Sequence, residues 1–368
     1  MMKKRIFCAA LTVLFCVSLF SACGEATDEV GVETQGSETV TEDVRTTSSE
    51  QNTEERVMQQ HKLVALTDQK NDEIVVIDMD AEDITSDSAV VWSWRADKLG
   101  DVDYANRSRS RLDDVKLRYC EAWGGFVVGV TSSGGLIALV SYPSGRCLFN
   151  ADAAGYGPHS IEILPDGSVV VACSGNANAE NGQIRIYPAL SKTGAAYVAD
   201  SLESAHGVCW DPENEVLWAL GASEIRAYDV GGTREKPTLT VLQGMGMQLG
   251  ASGGHDLSPV YGNTDRLWIT YSKGVVQYSK EENKLYSGYA GYDTISTGSV
   301  KSVNSFLDGT VVWTVADKNN GTATHDTNVL NVFTYEKGSS GKWLVRKNNF
   351  TFPSRDFYKA RAFVSDYQ

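Results

Sequence analysis

His159, His206 and His255 are three of only five histidines in the 368-residue chain, and each stands at the same place in a repeated motif. Their surroundings read Pro-His-Ser-Ile, Ala-His-Gly-Val and Gly-His-Asp-Leu. His159 lies ten residues before Val169 and His206 ten before Val216, where apolar runs begin; Lys301 lies ten before Val311. His255 lies twelve before Leu267, because the turn at residues 260–265 is longer. In a fifth copy the count reaches Lys116 if the run starts at Phe126 and Leu117 if it starts at Val127, which keeps Arg118 in range. The C-terminal run at residues 358–364 offers Lys359 or Arg361 as the sixth position.

Imidazole titrates near neutral pH and serves as acid, base or metal ligand. Three imidazoles beside Lys and Arg suit an anionic ligand, and a carboxylated sugar fits well. Elimination on a uronic acid needs a neutralised carboxylate, a base for the C5 proton and an acid for the leaving oxygen. Arg118, Lys301 or a metal could supply the first, and a His the second. Tyr156 and Tyr119 are candidates for the third, or stacking platforms. A single divalent ion on His159, His206 and His255 is a further expectation, since imidazole suits zinc, copper, iron or nickel. Paired-carboxylate hydrolysis is less favoured, because Asp256 and Glu121 have no second acid in an equivalent place. No P-loop or HExxH occurs. The competing expectation is a non-catalytic scaffold for cell-envelope protein interactions, with the same residues merely lining a channel.

A repeat must bring these residues together. After residue 61 a unit of 40–50 residues recurs six times. Each unit contains a β-run ending at a Tyr or its stand-in: 73–78, 136–142, 183–187, 224–228, 274–278 and 330–335. An apolar run precedes each, at 63–67, 126–131, 169–173, 216–220, 267–271 and 311–315. A further one follows, at 90–94, 147–150, 196–199, 239–242, 285–287 and 343–346. Six units of four strands predict an all-β, six-bladed β-propeller whose first strands line the central channel. Their even spacing argues against a pair of sandwiches. The first unit lacks its innermost strand, and residues 358–364 have no following partner. The C-terminal strand is therefore expected to pair into the N-terminal blade and close the ring. Residues 175–182 and 318–328 read as blade connections, and 244–248 as loop.

Composition agrees: 34 Gly, 8 Pro and no long helix-period stretch favour an all-β chain. A net charge of −14 argues against nucleic-acid binding. Cys120, Cys147, Cys173 and Cys209 sit in or beside apolar runs and read as buried thiols, not a disulfide framework. A monomer is expected.

Residues 1–22 read as a signal peptide, with Lys3, Lys4 and Arg5 before an apolar run at 6–20. The end of the run, Phe20-Ser21-Ala22-Cys23, resembles a bacterial lipoprotein signal, with Phe20 where Leu is usual. That resemblance implies lipidation of Cys23 and an extracytoplasmic, membrane-anchored protein. Residues 23–60 contain ten acids against Arg45 and Arg56 and no aromatic residue, the composition of a disordered acidic tether. The propeller is expected over 61–368. The motifs His-Ser-Ile-Glu-Ile-Leu-Pro-Asp-Gly from His159 and His-Gly-Val-Cys-Trp-Asp-Pro-Glu-Asn from His206 resemble a family of bacterial secreted or lipid-anchored six-bladed propellers of unassigned function, over residues 62–368. The His-x-x-x-x-Leu-Pro-Asp-Gly run is also similar to strands of oligogalacturonate-lyase-type and arylsulfotransferase-type propellers. That similarity implies histidines in the central pocket.

Overall fold

The structure, a computed structural model, describes residues 61–99, 111–175, 182–189, 191, 194, 197–317, 325–337 and 343–368, all within one unit, Glu50–Gln368. The expected signal peptide and tether lie outside the described residues, as do Ala196 and most of the connections at 175–182 and 318–328.

Among the described residues, runs of Val, Ile, Leu and aromatic residues form 24 strands in six four-stranded antiparallel sheets. Blade 1 holds β1 (Leu63–Asp68), β2 (Glu73–Asp78) and β3 (Val90–Arg95). Blade 2 holds β4 (Leu112–Cys120), β5 (Gly125–Ser132), β6 (Leu136–Ser141) and β7 (Cys147–Asp152). Blade 3 holds β8 (Pro158–Ile163), β9 (Val169–Cys173), β10 (Gln183–Tyr187) and β11 (Val198–Ser201). Blade 4 holds β12 (Gly207–Asp211), β13 (Val216–Leu220), β14 (Glu224–Thr233) and β15 (Lys236–Gln248). Blade 5 holds β16 (Asp256–Pro259), β17 (Arg266–Tyr271), β18 (Gly274–Ser279) and β19 (Lys284–Tyr286). Blade 6 holds β20 (Val300–Ser305), β21 (Val311–Val315), β22 (Val329–Lys337) and β23 (Trp343–Thr351). The last strand, β24 (Phe357–Ala362), is the innermost strand of blade 1 and pairs antiparallel with β1 through Val64↔Ala362 and Leu66↔Ala360. The expected six-bladed propeller and its closure are both present.

Side chains alternate across a strand, so a blade buried on both faces needs apolar residues at every step. In β1, Leu63 and Ala65 pack with blade 2, while Val64 and Leu66 pack with blade 6. Six apolar clusters result, one between each pair of neighbouring blades, including the sixth and first. All four described cysteines are free; Cys120, Cys173 and Cys209 are buried. Burial pushes the Cys173 thiol up to about 12 and that of Cys209 to about 11.

One expected loop is a strand. Residues 244–248 continue β15, whose pairing resumes at Arg226↔Gly246 after a bulge. Gly244 and Gly246 take φ of 82° and 88°, so the chain absorbs an irregularity there that a side chain would resist.

Beyond β24 the chain crosses one end of the channel. Asp366 O accepts from Arg118 Nη1 (3.2 Å) and Tyr261 OH (3.0 Å). Tyr367 OH donates to Ile163 O (2.7 Å), and Gln368 Nε2 to Arg266 O (3.0 Å). These partners come from blades 2, 3 and 5. They tie the tail over the end of the channel opposite His159, which stands at the other end of the strand carrying Ile163.

Candidate functional site at the channel mouth

Each innermost strand begins with one extra residue. In β4, β8 and β20 the pairing register shifts across Asp113, His159 and Lys301. In β24 it shifts across Tyr358 and Lys359, which together face Thr67. His206 N bonds Leu220 O although Gly207 pairs with Leu220; His255 N bonds Thr270 O although Asp256 pairs with Thr270. A bulge re-aims a side chain out of the ladder, and here it does so in every blade. The resulting ring is Tyr358, Asp113, His159, His206, His255 and Lys301.

Four of the six are approached in the same way. The residue two positions earlier is left-handed: Gly157 (φ 55°), Ser204 (45°), Gly253 (79°) and Ser299 (66°). At Ser204 this conformation presents the carbonyl to His206 Nδ1 at 2.8 Å. A carbonyl only accepts, so Nδ1 carries the proton and Nε2 of the neutral ring is the open acceptor.

The ring opens into a cavity of about 460 Å³, also lined by Gln69, Arg111, Ser133 and His325. Four of the chain's five histidines therefore meet at one mouth. His159 and His206 stack with centroids 4.3 Å apart and planes 14° apart; His206 and His255 lie at 4.9 Å and 34°. Tyr358 OH shares a 2.7 Å hydrogen bond with His255 Nε2, and Lys301 Nζ lies 5.8 Å from the Tyr358 ring centroid. Asp113 accepts a short bond from Ser133 N, and its Oδ1 is 3.2 Å from His159 Nδ1, although that ring is not aligned to donate.

Burial holds His206 well below its ordinary value, reinforced by His159 and the nearby lysines. Burial and then Lys301 do the same to His255, and more mildly to His325. Burial and then Asp113 push the Tyr358 phenol well above its ordinary value. The mouth thus combines unprotonated imidazoles with a protonated phenol. Unfolded histidine takes up a proton near pH 6.5 while His206 and His255 do not, so the unfolded state gains protons as pH falls. Stability is expected to fall from about pH 6.5 downward, by up to about 1.4 kcal/mol per pH unit for each imidazole. Melting curves from pH 8 to 5 check this, with a flatter profile expected for His206→Gln.

Lys116, Arg118, Lys359 and Arg361 are not at the mouth. They are 6%, 2%, 0% and 3% exposed and form a buried ion network deeper in the channel. Arg118 Nε and Nη2 grip Glu162 at 2.8 and 3.0 Å, and Lys116 Nζ reaches the same carboxylate at 3.2 Å. Arg361 links Asp114 (2.7 Å) to Asp256 (2.8 and 2.5 Å), and Lys359 sits 3.3 Å from Asp256. Burial alone would raise Asp114 and Glu162, but these cations outweigh it and hold both carboxyls low. The register count reached Lys116 because the β4–β5 hairpin runs three pairs further than β8–β9, through Arg118↔Val127, Tyr119↔Phe126 and Cys120↔Gly125. Asp113 takes the ring position instead. In β24 the bulge brings Tyr358 to the ring, one residue before Lys359.

Tyr119 lies at the far end of β4, exposed and edge-on to Phe126 at 5.2 Å. Glu121 follows it, also away from the mouth. Tyr156 stacks on the Arg185 guanidinium at 4.0 Å and does not line the cavity. The expected metal trio does not converge in this arrangement: His159 and His206 stack face to face and His255 is tilted by 34° to His206. Among the described residues, the only His/Cys/Asp/Glu trio with donor atoms all within 4.8 Å of one another is His61, Asp78 and Asp80. Arg111, Ser133 and His325 had no sequence signal beyond lying in connections between strands.

A search of curated proteins found no match to the chain. Among solved structures, the β-propeller domain of Myceliophteria thermophila Cps50 (Swd1) is similar at 10% identity and a TM-score of 0.41, over 65% of this chain and 71% of that one. Residues 33–359 match the family of unknown function DUF6528, and the chain belongs to that family.

Proposed function

We propose that the cavity binds an acidic oligosaccharide and cleaves it by β-elimination. One observation carries this reading: Tyr358, His206, His255, Lys301 and Arg111 line a single cavity, where burial favours the protonated phenol and the neutral imidazoles. Lys301 and Arg111 neutralise the uronate carboxylate, which acidifies the C5 proton beside it. His206 Nε2 takes that proton, and its electron pair forms the C4–C5 double bond as the C4–O bond breaks. Tyr358 O–H protonates the leaving oxygen, with His255 at 2.7 Å behind it. No water or oxidant is consumed. New absorbance from an unsaturated uronate, screened on pectin, alginate, ulvan and glycosaminoglycans, tests the chemistry. Silence across all four would remove it.

The same proposal places the protein outside the cytoplasm of a bacterium. Residues 1–22 would be the signal, Cys23 the lipid-bearing residue and 23–60 a tether. Two acyl chains on a thioether-linked diacylglycerol suffice for stable anchoring. Cys23→Ala is expected to shift the protein from the membrane to the soluble fraction; retention in membranes would argue against the anchor.

A further inference from the structure

We propose that the mouth continues sideways into a second subsite, over blades 2 and 3, which holds the neighbouring residue of an acidic sugar chain. This rests on the acidic-saccharide reading of the mouth. An adjoining cavity of about 440 Å³ shares Arg111, Ser133 and His159 with the first. The remainder of its lining is Gly134, Gly155, Gly157, Ser174 and Gly175.

That lining has a definite chemistry. It offers backbone groups, two hydroxyls, one imidazole and one guanidinium, with no apolar side chain. Hydroxyl-rich, anionic chains match such a surface; an apolar ligand would leave its polar groups unpaired. The floor is held in place, since Ser174 N donates to Gly157 O (2.9 Å) and Gly175 N to Tyr156 O (2.8 Å). At Gly157 (φ 55°) a Cβ would come within 2.7 Å of Ser174 Oγ and 3.8 Å of His159 Nε2, so a side chain there would crowd Ser174 and sit against His159. At Gly155 the space beyond the backbone is empty. The cations are also divided between the cavities. Lys301 lines the mouth alone, whereas Arg111 lines both. Arg111, on the shared wall, would meet a carboxylate in either cavity.

Titration calorimetry with galacturonate and its linear dimer and trimer tests the subsite. The wild type is expected to bind the trimer at least about ten-fold tighter than the monomer, because linked units share one association cost. Gly155→Asn places a side chain in the open space while tolerating φ of 79°. It is expected to erase the trimer's advantage and leave monomer affinity within about two-fold, which also reports an intact mouth. Ser174→Asn, on the floor, provides a second block should Gly155→Asn melt early. Lys301→Ala is expected to weaken all three ligands. A trimer bound no tighter than the monomer, or an advantage that survives both blocks, overturns the subsite and leaves the mouth reading standing. No binding of any of the three overturns both.

Discussion

Replacing Glu162 with alanine is expected to lower folding stability by about 3–5 kcal/mol, the cost of leaving buried cations without their counter-charge. Glu162 is fully buried and carries both Arg118, through two hydrogen bonds, and Lys116. Arg118 also holds the C-terminal tail through Asp366 O, so the loss should loosen the end of the channel as well. Urea unfolding of wild type and Glu162→Ala measures the difference. A loss below about 1 kcal/mol would mean that water reaches the network and solvates it. Replacing Glu162, Lys116 and Arg118 together by Leu, Met and Met should recover most of the loss, because an apolar isostere removes the charges and the need to pair them.

Substituting His206 with alanine is expected to reduce turnover by about 10²–10⁴-fold, the usual contribution of a positioned general base. The ring is partly open to the cavity, stacked on His159 and tilted against His255, so its removal should leave the melting temperature nearly unchanged. Tyr358→Phe separates proton donation from packing. It keeps the ring near Lys301 but removes the hydroxyl bonded to His255, so kcat should fall while KM holds. Full activity in both variants would remove His206 as the base and Tyr358 as the acid.

Much of this architecture was legible before the structure. Runs such as Val169–Cys173 and Val216–Leu220 are apolar at every step because blades pack on both faces, and their bounds agree with the sequence reading. The unpaired C-terminal run and the missing first strand of blade 1 identified one another. His159, His206, His255 and Lys301 share one position because their strands start alike. Asp113 and Tyr358 escaped for a physical reason. Hairpin length and bulges shift register without altering the apolar pattern, so a count from the turn fails wherever a hairpin is longer. Lys116, Arg118, Lys359 and Arg361 were expected among the ligand-binding residues of the ring but form ion pairs deeper in the channel, because charge alone does not tell a buried ion pair from a ligand contact. His325 and Arg111 lie in connections whose course no periodicity encodes. The loop assigned to 244–248 shows the same limit, since glycines that usually end a strand here only bend it.

In the proposed function, the mouth selects an anionic sugar by charge. Titration calorimetry of acidic oligosaccharides against wild type, Lys301→Ala and Arg111→Ala tests it most directly, with a neutral oligosaccharide of equal length as control. The expected result is saturable binding of an acidic ligand, weakened at least about ten-fold by either substitution and by salt, with no binding of the neutral one. Equal affinity for both ligands, or acidic binding untouched by both substitutions, would contradict it.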